Sequence, residues 1–476
     1  MFSITGPSRR EFLRVGGLAL GGLALPGLLA TKARAAGAKK FVRDRSVVLL
    51  FLQGGPPQHE TFDPKPDAAQ EIRSVTGEVR TAVPGLLFGG TFPKMAARAD
   101  RMAVVHSFAA AKGGVSHEAG YTSILTAGNP TGAVAGSLYA RAAGAINPRT
   151  GLPTNALILP EAIDPTLKLG RPSGAFTYEQ TLKYFATAGS LGAEHVPFSP
   201  AGGSDLLGNL SLKLSQERLD DRKELLGQID QLRRKLEPTR DLEGMNAFQR
   251  QAYDVLLKGI EKAFDLRQED PKTVERYDTS HLLDMAEVHR GGKKFWNNFS
   301  RTTNLLGKQL LLARRLCEAG CGFVTVVDSC WDFHDDGNNP PASVGMPVLG
   351  PQLDHAVAAF LDDVKERGLE EKILLVITAE MGRSPGKKGG KNGGGTGHWG
   401  DLTPLVLAGG GLKMGQVIGR SDAKGAFPAT NRYGPEHLLA TVMHTLFDPG
   451  EVRVTPDIPK PVASLITDGT PIKELF

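Results

Sequence analysis

The chain has 476 residues, of which 22% are charged, and its formal net charge is +5. Its first 35 residues hold five basic residues and one acidic residue, so the remainder has 51 basic and 50 acidic residues and a net charge of about +1. This balance gives no electrostatic reason to expect a nucleic-acid partner. Three cysteines in a chain of this length exclude a disulfide scaffold. One bridge involving Cys330 and three buried free thiols both stay open.

The N-terminal segment has the three parts of an export signal in order. Residues 8–13 form a basic patch with two adjacent arginines, residues 15–30 form an uncharged run, and residues 33–35 read Ala-Arg-Ala. The run is rich in glycine and shorter than the ~20 residues that a membrane-spanning helix needs. We predict a twin-arginine signal peptide over residues 1–35, with a mature protein in the periplasm, the cell envelope or the medium. An uncleaved N-terminal anchor is the alternative.

Six continuous apolar runs have the length of strands that are buried on both faces. They lie at residues 47–52, 102–105, 156–159, 323–327, 373–377 and 405–408. Amphipathic helical patterns lie between several of them, at residues 310–319, 354–367 and 436–446. This alternation predicts an α/β domain over residues 36–476, in which helices cover both faces of a predominantly parallel sheet.

A different pattern occupies the middle of the chain. Apolar residues repeat at helical spacing over residues 225–236 and again over 248–263, and Pro238 separates the two repeats. We predict a helical hairpin inserted in the domain over residues 204–280. The hairpin either covers the sheet domain or offers a surface to a partner.

Residues 385–397 are rich in glycine and contain three lysines, so this segment holds no regular structure. It lies between Glu380 and His398, which are candidate site residues. A lid, a funnel for anions and a plain connection are all compatible with its composition.

Carboxylates and imidazoles follow three of the predicted strands. Ligands of open parallel sheets bind at the carboxyl ends of the strands, so these side chains are candidates for one shared site. Imidazole and carboxylate together suit a divalent cation, such as zinc, manganese or calcium, and we expect one or two ions. The candidate ligands are His59, Glu60, Asp332, His334, Glu380 and His398.

Simpler roles are available to several of these residues. Asp332 and His334 could cap a loop, and Glu380 could pair with Arg383. Arg383 could equally clamp an anionic group, because its guanidinium matches carboxylate, phosphate and sulfate geometry.

Five segments of the chain resemble a known family of exported proteins, domain of unknown function 1501 (DUF1501), whose relatives form the alkaline phosphatase and sulfatase superfamily. The segments are residues 53–66, 312–316, 331–334, 380–385 and 468–472. The resemblance implies a sheet whose strand ends hold two metal ions, with a nucleophile at the start of a helix, and attack on phosphate or sulfate esters. It also implies that Asp332 and His334 bind one metal, that Glu380 replaces an Asp-His pair, and that His398 is the late ligand histidine.

The chain departs from the superfamily pattern at three positions. Gln53 stands where an aspartate normally binds metal, so His59 or Glu60 would have to supply that ligand. The nucleophile position falls on His117, which could bind metal or form a phospho-intermediate, and Ser116 beside it is a substitute nucleophile. Gly397 stands where the family usually has an aspartate before the late His-Trp.

These features predict an exported, metal-dependent hydrolase of sulfate or phosphate esters, with His117, Ser116 and Arg383 as catalytic candidates. Its substrate would be an anionic small-molecule or polysaccharide ester. The alternative is a non-catalytic relative that binds an anionic polysaccharide or a partner protein. A structural component of the cell envelope, assembled through the helical hairpin, is a third interpretation.

Overall fold

The computed structural model describes most of the chain from Lys39 onward. The described residues are 39–164, 166–167, 176–200, 261–285, 288, 301–386 and 396–476. The predicted signal peptide lies outside them, as do residues 204–260 of the predicted hairpin and residues 387–395 of the glycine-rich segment. The expectations for these three segments stay predictions.

A seven-stranded sheet lies at the centre of the described structure, with the spatial order β11-β4-β10-β7-β1-β6-β5. Two small ribbons, β2 with β3 and β8 with β9, lie outside it. The strands are β1 (Ser46–Leu52), β2 (Glu78–Arg80), β3 (Leu87–Gly89), β4 (Ala103–Val105), β5 (Asn155–Ile158), β6 (Phe323–Asp328), β7 (Ile373–Thr378), β8 (Gly382–Arg383), β9 (His398–Trp399), β10 (Leu405–Gly409) and β11 (Gln416–Ile418).

The prediction of a predominantly parallel sheet is confirmed. Strand β1 is parallel to both of its neighbours, β6 and β7, and β5 is parallel to β6. Strand β10 alone runs in the opposite direction, antiparallel to β7 and β4. The edge strand β11 was not predicted, because its three residues include Gln416 and do not form a continuous apolar run.

The central strand β1 separates two apolar layers. Its even-numbered residues from Val48 to Leu52 pack into the layer on one face, and its odd-numbered residues from Val47 to Phe51 pack into the layer on the other. Successive side chains of a strand point to opposite faces, so a strand buried on both sides is apolar throughout.

Helices cover both faces of the sheet, as predicted. The described helices are α1 (Pro93–Ala96), α2 (His117–Thr126), α3 (Ala135–Ala143), α4 (Tyr178–Phe185), α5 (Glu261–Phe264), α6 (Pro271–Tyr277), α7 (Leu306–Glu318), α8 (Ala342–Glu366), α9 (Pro435–Leu446), α10 (Pro449–Arg453) and α11 (Lys460–Thr467). Helices α7 and α8 supply one apolar layer, and α2, α3, α9 and α11 supply the other. Among the described residues, no helix combines the length and the apolar composition that a membrane crossing requires.

Helix α8 is longer than its sequence pattern predicts. It begins at Ala342 rather than at residue 354, and it contains Pro347 and Pro351. The prediction ended at these prolines, because an interior proline removes a helical hydrogen bond and clashes with the preceding turn. Met346 and Leu349, which lie beside these prolines in α8, are buried in the apolar layer.

The described end of the predicted insertion is attached to the sheet domain. Helix α6 packs against α7 and α8, and α5 packs against α7. Asp270 caps α6 by accepting a hydrogen bond from the Thr273 amide, and Pro271 takes the first helical position. Residues 261–277, at the C-terminal end of the predicted insertion, therefore pack on the sheet domain.

The three cysteines are buried, and the described structure contains no disulfide bond between them. Burial raises the pKa of the Cys321 and Cys330 thiols to about 12, which keeps both protonated and unreactive. Of the two alternatives left open by the sequence, the described structure has three buried cysteines without a disulfide bond.

Candidate metal centre

The carboxyl ends of three neighbouring strands bring the candidate site together. Strands β7, β1 and β6 lie side by side and run in the same direction. The segments that follow them carry Glu380, Gly54 and Asp332. Two further elements complete the site, because His117 is the first residue of helix α2 and His398 begins β9.

Four side chains form a compact group at this edge of the sheet. His117, Asp332, His334 and His398 each offer one ligand-type atom, and these atoms all lie within 4.8 Å of one another. Asp332 is central: its Oδ1 is 2.9 Å from His334 Nε2 and 3.6 Å from His398 Nε2, and its Oδ2 is 3.7 Å from His117 Nε2. The Nε2 atoms of His334 and His398 are 2.8 Å apart.

Hydrogen bonds behind the group fix the orientation of two imidazoles. His117 Nδ1 donates to Glu380 Oε1 at 2.8 Å, and His398 Nδ1 donates to the Val115 carbonyl at 2.7 Å. A carboxylate and a carbonyl only accept, so in each neutral ring the proton sits on Nδ1 and Nε2 keeps its lone pair. Imidazoles that bind metal are commonly held in this way by a second layer of acceptors.

Glu380 is fully buried and bridges two elements of the site. Its Oε1 accepts from the Gly54 amide at 2.8 Å as well as from His117, and its Oε2 has no hydrogen-bond partner. An unpartnered carboxylate oxygen in a buried position is costly, so this atom offers a ligand or water contact.

Arg383 is also fully buried and supplies the positive charge beside Asp332. Its Nη2 donates to Asp332 Oδ1 and to the Gly54 carbonyl, and its Nε donates to the Gly55 carbonyl at 2.8 Å. Its Nη1 lies 3.1 Å from His334 Nε2. The carboxylate partner of Arg383 is therefore Asp332 and not Glu380, and its fork is occupied by the protein.

The charges in the group shift the acid-base equilibria of its members. Burial acts to lower the pKa of His117, but the neighbouring carboxylates of Asp332 and Glu380 outweigh it and raise the pKa to about 9. Burial acts to raise the pKa of Asp332, but Arg383 and the imidazoles hold it well below its usual range. Burial, with the positive charges of Arg383 and His117, lowers the pKa of His398.

Two glycines allow the close approaches on which this geometry depends. Gly54 has φ = +125°, and a Cβ at this position would lie 2.6 Å from the Asp332 amide nitrogen. A Cβ at Gly120 in helix α2 would lie 2.8 Å from the Glu380 Cβ and carbonyl oxygen. The two adjacent glycines after β1 are a sequence sign of close backbone approach, and neither was among the predicted site residues.

The segment that carries Asp332 and His334 is bounded by two unusual backbone positions. Cys330 has φ = +82° and Asp335 has φ = +54°, both in the left-handed region that residues with a side chain rarely adopt. Such positions concentrate at functional sites, where the surrounding structure compensates for their cost.

The other predicted site residues are not members of this four-residue group. Ser116 is exposed and caps helix α2, where its Oγ accepts from the Ala119 amide at 3.2 Å. The carboxylate of Glu60 accepts four hydrogen bonds from residues 74–76, and its Oε1 is 3.9 Å from His59 Nε2. The side-chain amide of Gln53 accepts a hydrogen bond from the Ser329 hydroxyl and donates one to the Thr181 hydroxyl.

Solved structures that align with the chain have low identity to it. The PsFucS1 sulfatase from Pseudoalteromonas sp. is 12% identical with a TM-score of 0.35, over 98% of this chain and 78% of that chain. The phosphonate monoester hydrolase SpPMH from Silicibacter pomeroyi is 11% identical with a TM-score of 0.33, over 90% and 77%. The lipoteichoic acid synthase LtaP from Listeria monocytogenes is 8% identical with a TM-score of 0.33, over 93% and 82%.

Sequence comparisons identify the family of the chain. A search of curated proteins finds no match. The sequence pattern of the family described as "Protein of unknown function (DUF1501)" matches residues 44–458. As its five motifs predict, the chain belongs to this family.

Proposed function

We propose that this protein is a metal-dependent hydrolase of sulfate or phosphate esters that is exported by the twin-arginine route. The observation that carries the proposal is the convergence of three imidazoles and one carboxylate at a strand-end edge, with their ligand-type atoms within 4.8 Å. The basic patch, uncharged run and Ala-Arg-Ala site in residues 1–35 support export.

The donor set fits a divalent transition metal. His117, His334 and His398 offer nitrogen, and Asp332 offers oxygen. Zinc and manganese accept such mixed ligands, whereas calcium prefers six to eight oxygens. One group of this kind is present among the described residues, which supports one ion rather than two.

Each residue of the site has a distinct contribution to hydrolysis. A bound metal would polarise the ester oxygen and stabilise charge that develops in the transition state. Glu380 orients the His117 imidazole by accepting its Nδ1 proton, which leaves the Nε2 lone pair directed at the metal. Arg383 holds Asp332 in place. The side chains of His334 and His398 are each 22% exposed and form the face that a substrate reaches.

The same contacts favour a second candidate function, a non-catalytic relative that binds an anionic ligand. Arg383 and a protonated His117 together neutralise Asp332 and Glu380 without any metal. In that case the group is a closed ion-pair network and the exposed imidazoles bind an anion.

Turnover distinguishes the two functions. With zinc or manganese added, the chain from residue 36 is expected to hydrolyse an aryl sulfate or an aryl phosphate, and His334→Ala is expected to lose at least about 100-fold in kcat/KM. The control is His281→Ala, because His281 is exposed and outside the site. Equal turnover in the two variants, or none in the unmodified protein, would contradict the hydrolase.

Metal binding is expected to strengthen as the pH rises from 7 to 9. The metal requires an unprotonated His117 Nε2, and the pKa of His117 is raised to about 9, so a proton competes below that pH. The apparent affinity is therefore expected to rise by roughly tenfold per pH unit.

The stability of the metal-free protein is expected to change in the opposite direction. The pKa of His117 is about 9 in the folded protein and about 6.5 in the unfolded chain. Its contribution to the free energy of unfolding is therefore complete below pH 6.5 and is lost as the pH rises through 9. The gap in Tm between samples with and without metal is thus expected to widen from pH 7 to 9. A constant gap would remove His117 from the metal set.

A further inference from the structure

The segment before helix α2 is held against the start of strand β9 and the residues after it. Gly400 N donates to the Gly113 carbonyl at 2.7 Å, and Ala111 N donates to the Gly400 carbonyl at 3.1 Å. The approach is close, because a Cβ at Gly400 would lie 2.8 Å from the Ala111 Cβ. Segment 111–116 therefore follows the backbone of residues 398–401.

One side chain closes this contact. Asp401 Oδ2 accepts a hydrogen bond from the Gly113 amide at 2.6 Å, and Gly113 has φ = +65°. A carboxylate that accepts from a backbone amide makes a strong, directional bond. Asp401 thus fixes the turn at which segment 111–116 changes direction.

The same segment delivers two members of the candidate metal centre. Its Val115 carbonyl accepts from His398 Nδ1 at 2.7 Å, and Ser116 caps the helix whose first residue is His117. The tautomer of His398 depends on the Val115 carbonyl, which is the partner of the Nδ1 proton. A displacement of this segment would therefore change both imidazoles together.

We propose that Asp401 is a positioning residue of this centre, which acts through segment 111–116 on His398 and His117. This inference rests on the metal-dependent function proposed above in so far as it concerns metal affinity. The effect of Asp401 on the tautomer of His398 does not depend on a bound metal. Asp401 touches none of the four ligand-type atoms and holds the backbone that orients two of the rings.

The test compares Asp401→Ala and Asp401→Asn with the unmodified chain from residue 36. Nitrogen NMR of ¹⁵N-histidine-labelled protein without metal reports the His398 tautomer, and a His398→Gln variant assigns its signals. We expect Asp401→Ala to shift or average the His398 ring signals and to weaken zinc or manganese binding by about 10–100-fold. Asp401→Asn keeps an acceptor oxygen and is expected to restore both properties.

A matched control isolates the positioning role from a general loss of stability. Asp270 also accepts one backbone amide hydrogen bond, at the start of helix α6 and away from the centre. Asp270→Ala is expected to leave the His398 signals and the metal affinity unchanged.

The outcomes separate the inference from the proposed function. Unchanged His398 signals in a folded Asp401→Ala variant would overturn the inference, whatever the metal affinity. If the unmodified protein binds no metal while Asp401→Ala still shifts the His398 signals, the proposed function fails and the positioning role stands.

Discussion

Replacement of Arg314 by methionine is expected to destabilise the protein by about 3–5 kcal/mol, because it leaves buried carboxylates without their cation. The Arg314 side chain is 1% exposed and donates to Asp363 at 2.8 Å, to Glu269 at 2.7 Å and to Glu318 at 2.5 Å. Methionine has a similar length and no charge. The buried negative charges of Glu269 and Asp363 would then be only partly compensated, by Arg315 and Arg367.

This network also attaches the described end of the insertion to the sheet domain. Glu269 lies between α5 and α6 and accepts from Arg314, Arg315 and Arg367. Burial acts to raise the pKa of Glu269, but these arginines outweigh it and lower the pKa to about 2, so the carboxylate stays ionised at neutral pH. Loss of Arg314 should therefore release residues 261–277 as well as lower the global stability.

Urea unfolding and limited proteolysis measure these two effects. The matched control is Arg276→Met, whose ion pair with Glu366 is exposed and should contribute less than about 1 kcal/mol. Equal losses of stability in the Arg314→Met and Arg276→Met variants would show that the buried network does not hold residues 261–277 on the sheet domain.

Asp332→Asn is expected to abolish metal binding and to destabilise the metal-free protein by about 3 kcal/mol. Asp332 is the shared contact of the three imidazoles and the partner of the fully buried Arg383. Asparagine has the same shape but no charge, so Arg383 would lose its carboxylate partner and a protonated His117 would keep only Glu380. The neutral amide is also a poor metal ligand.

Metal titration and thermal unfolding of the variant test this expectation. Asp67→Asn is the control, because it removes the same charge from an exposed residue and should change neither property. An Asp332→Asn variant that bound metal as tightly as the unmodified protein would exclude Asp332 from the ligand set.

The sheet could be predicted from the sequence because its strands are apolar throughout. Burial on both faces is visible in a run such as residues 323–327, whichever direction the strand takes. The direction is not visible, so the reversal of β10 could not be predicted. Its pairing with β7 and β4 is decided by where the chain enters the sheet.

The site was predicted in part, for a related reason. Asp332, His334, Glu380 and His398 follow strand ends or their connections, and parallel strands bring such positions to one edge. His117 was predicted only from the family resemblance. It is the first residue of a helix, and the local sequence there does not show which part of the fold the helix start contacts. Glu60 accepts hydrogen bonds from residues 74–76, and no sequence spacing predicts that these residues contact it.

Backbone groups of the site were not predictable at all. The Val115 carbonyl and the Gly54 amide orient His398 and Glu380, and every residue type offers the same backbone groups. Only their positions in the fold select them, so local sequence gives no sign of either contact.

Elemental analysis of the purified chain from residue 36, by inductively coupled plasma mass spectrometry without added metal, is the decisive test of the metal centre. We expect about one equivalent of zinc or manganese per chain, held by His117, Asp332, His334 and His398. A protein that contains no metal, and takes up none when zinc or manganese is added at pH 8, would contradict it.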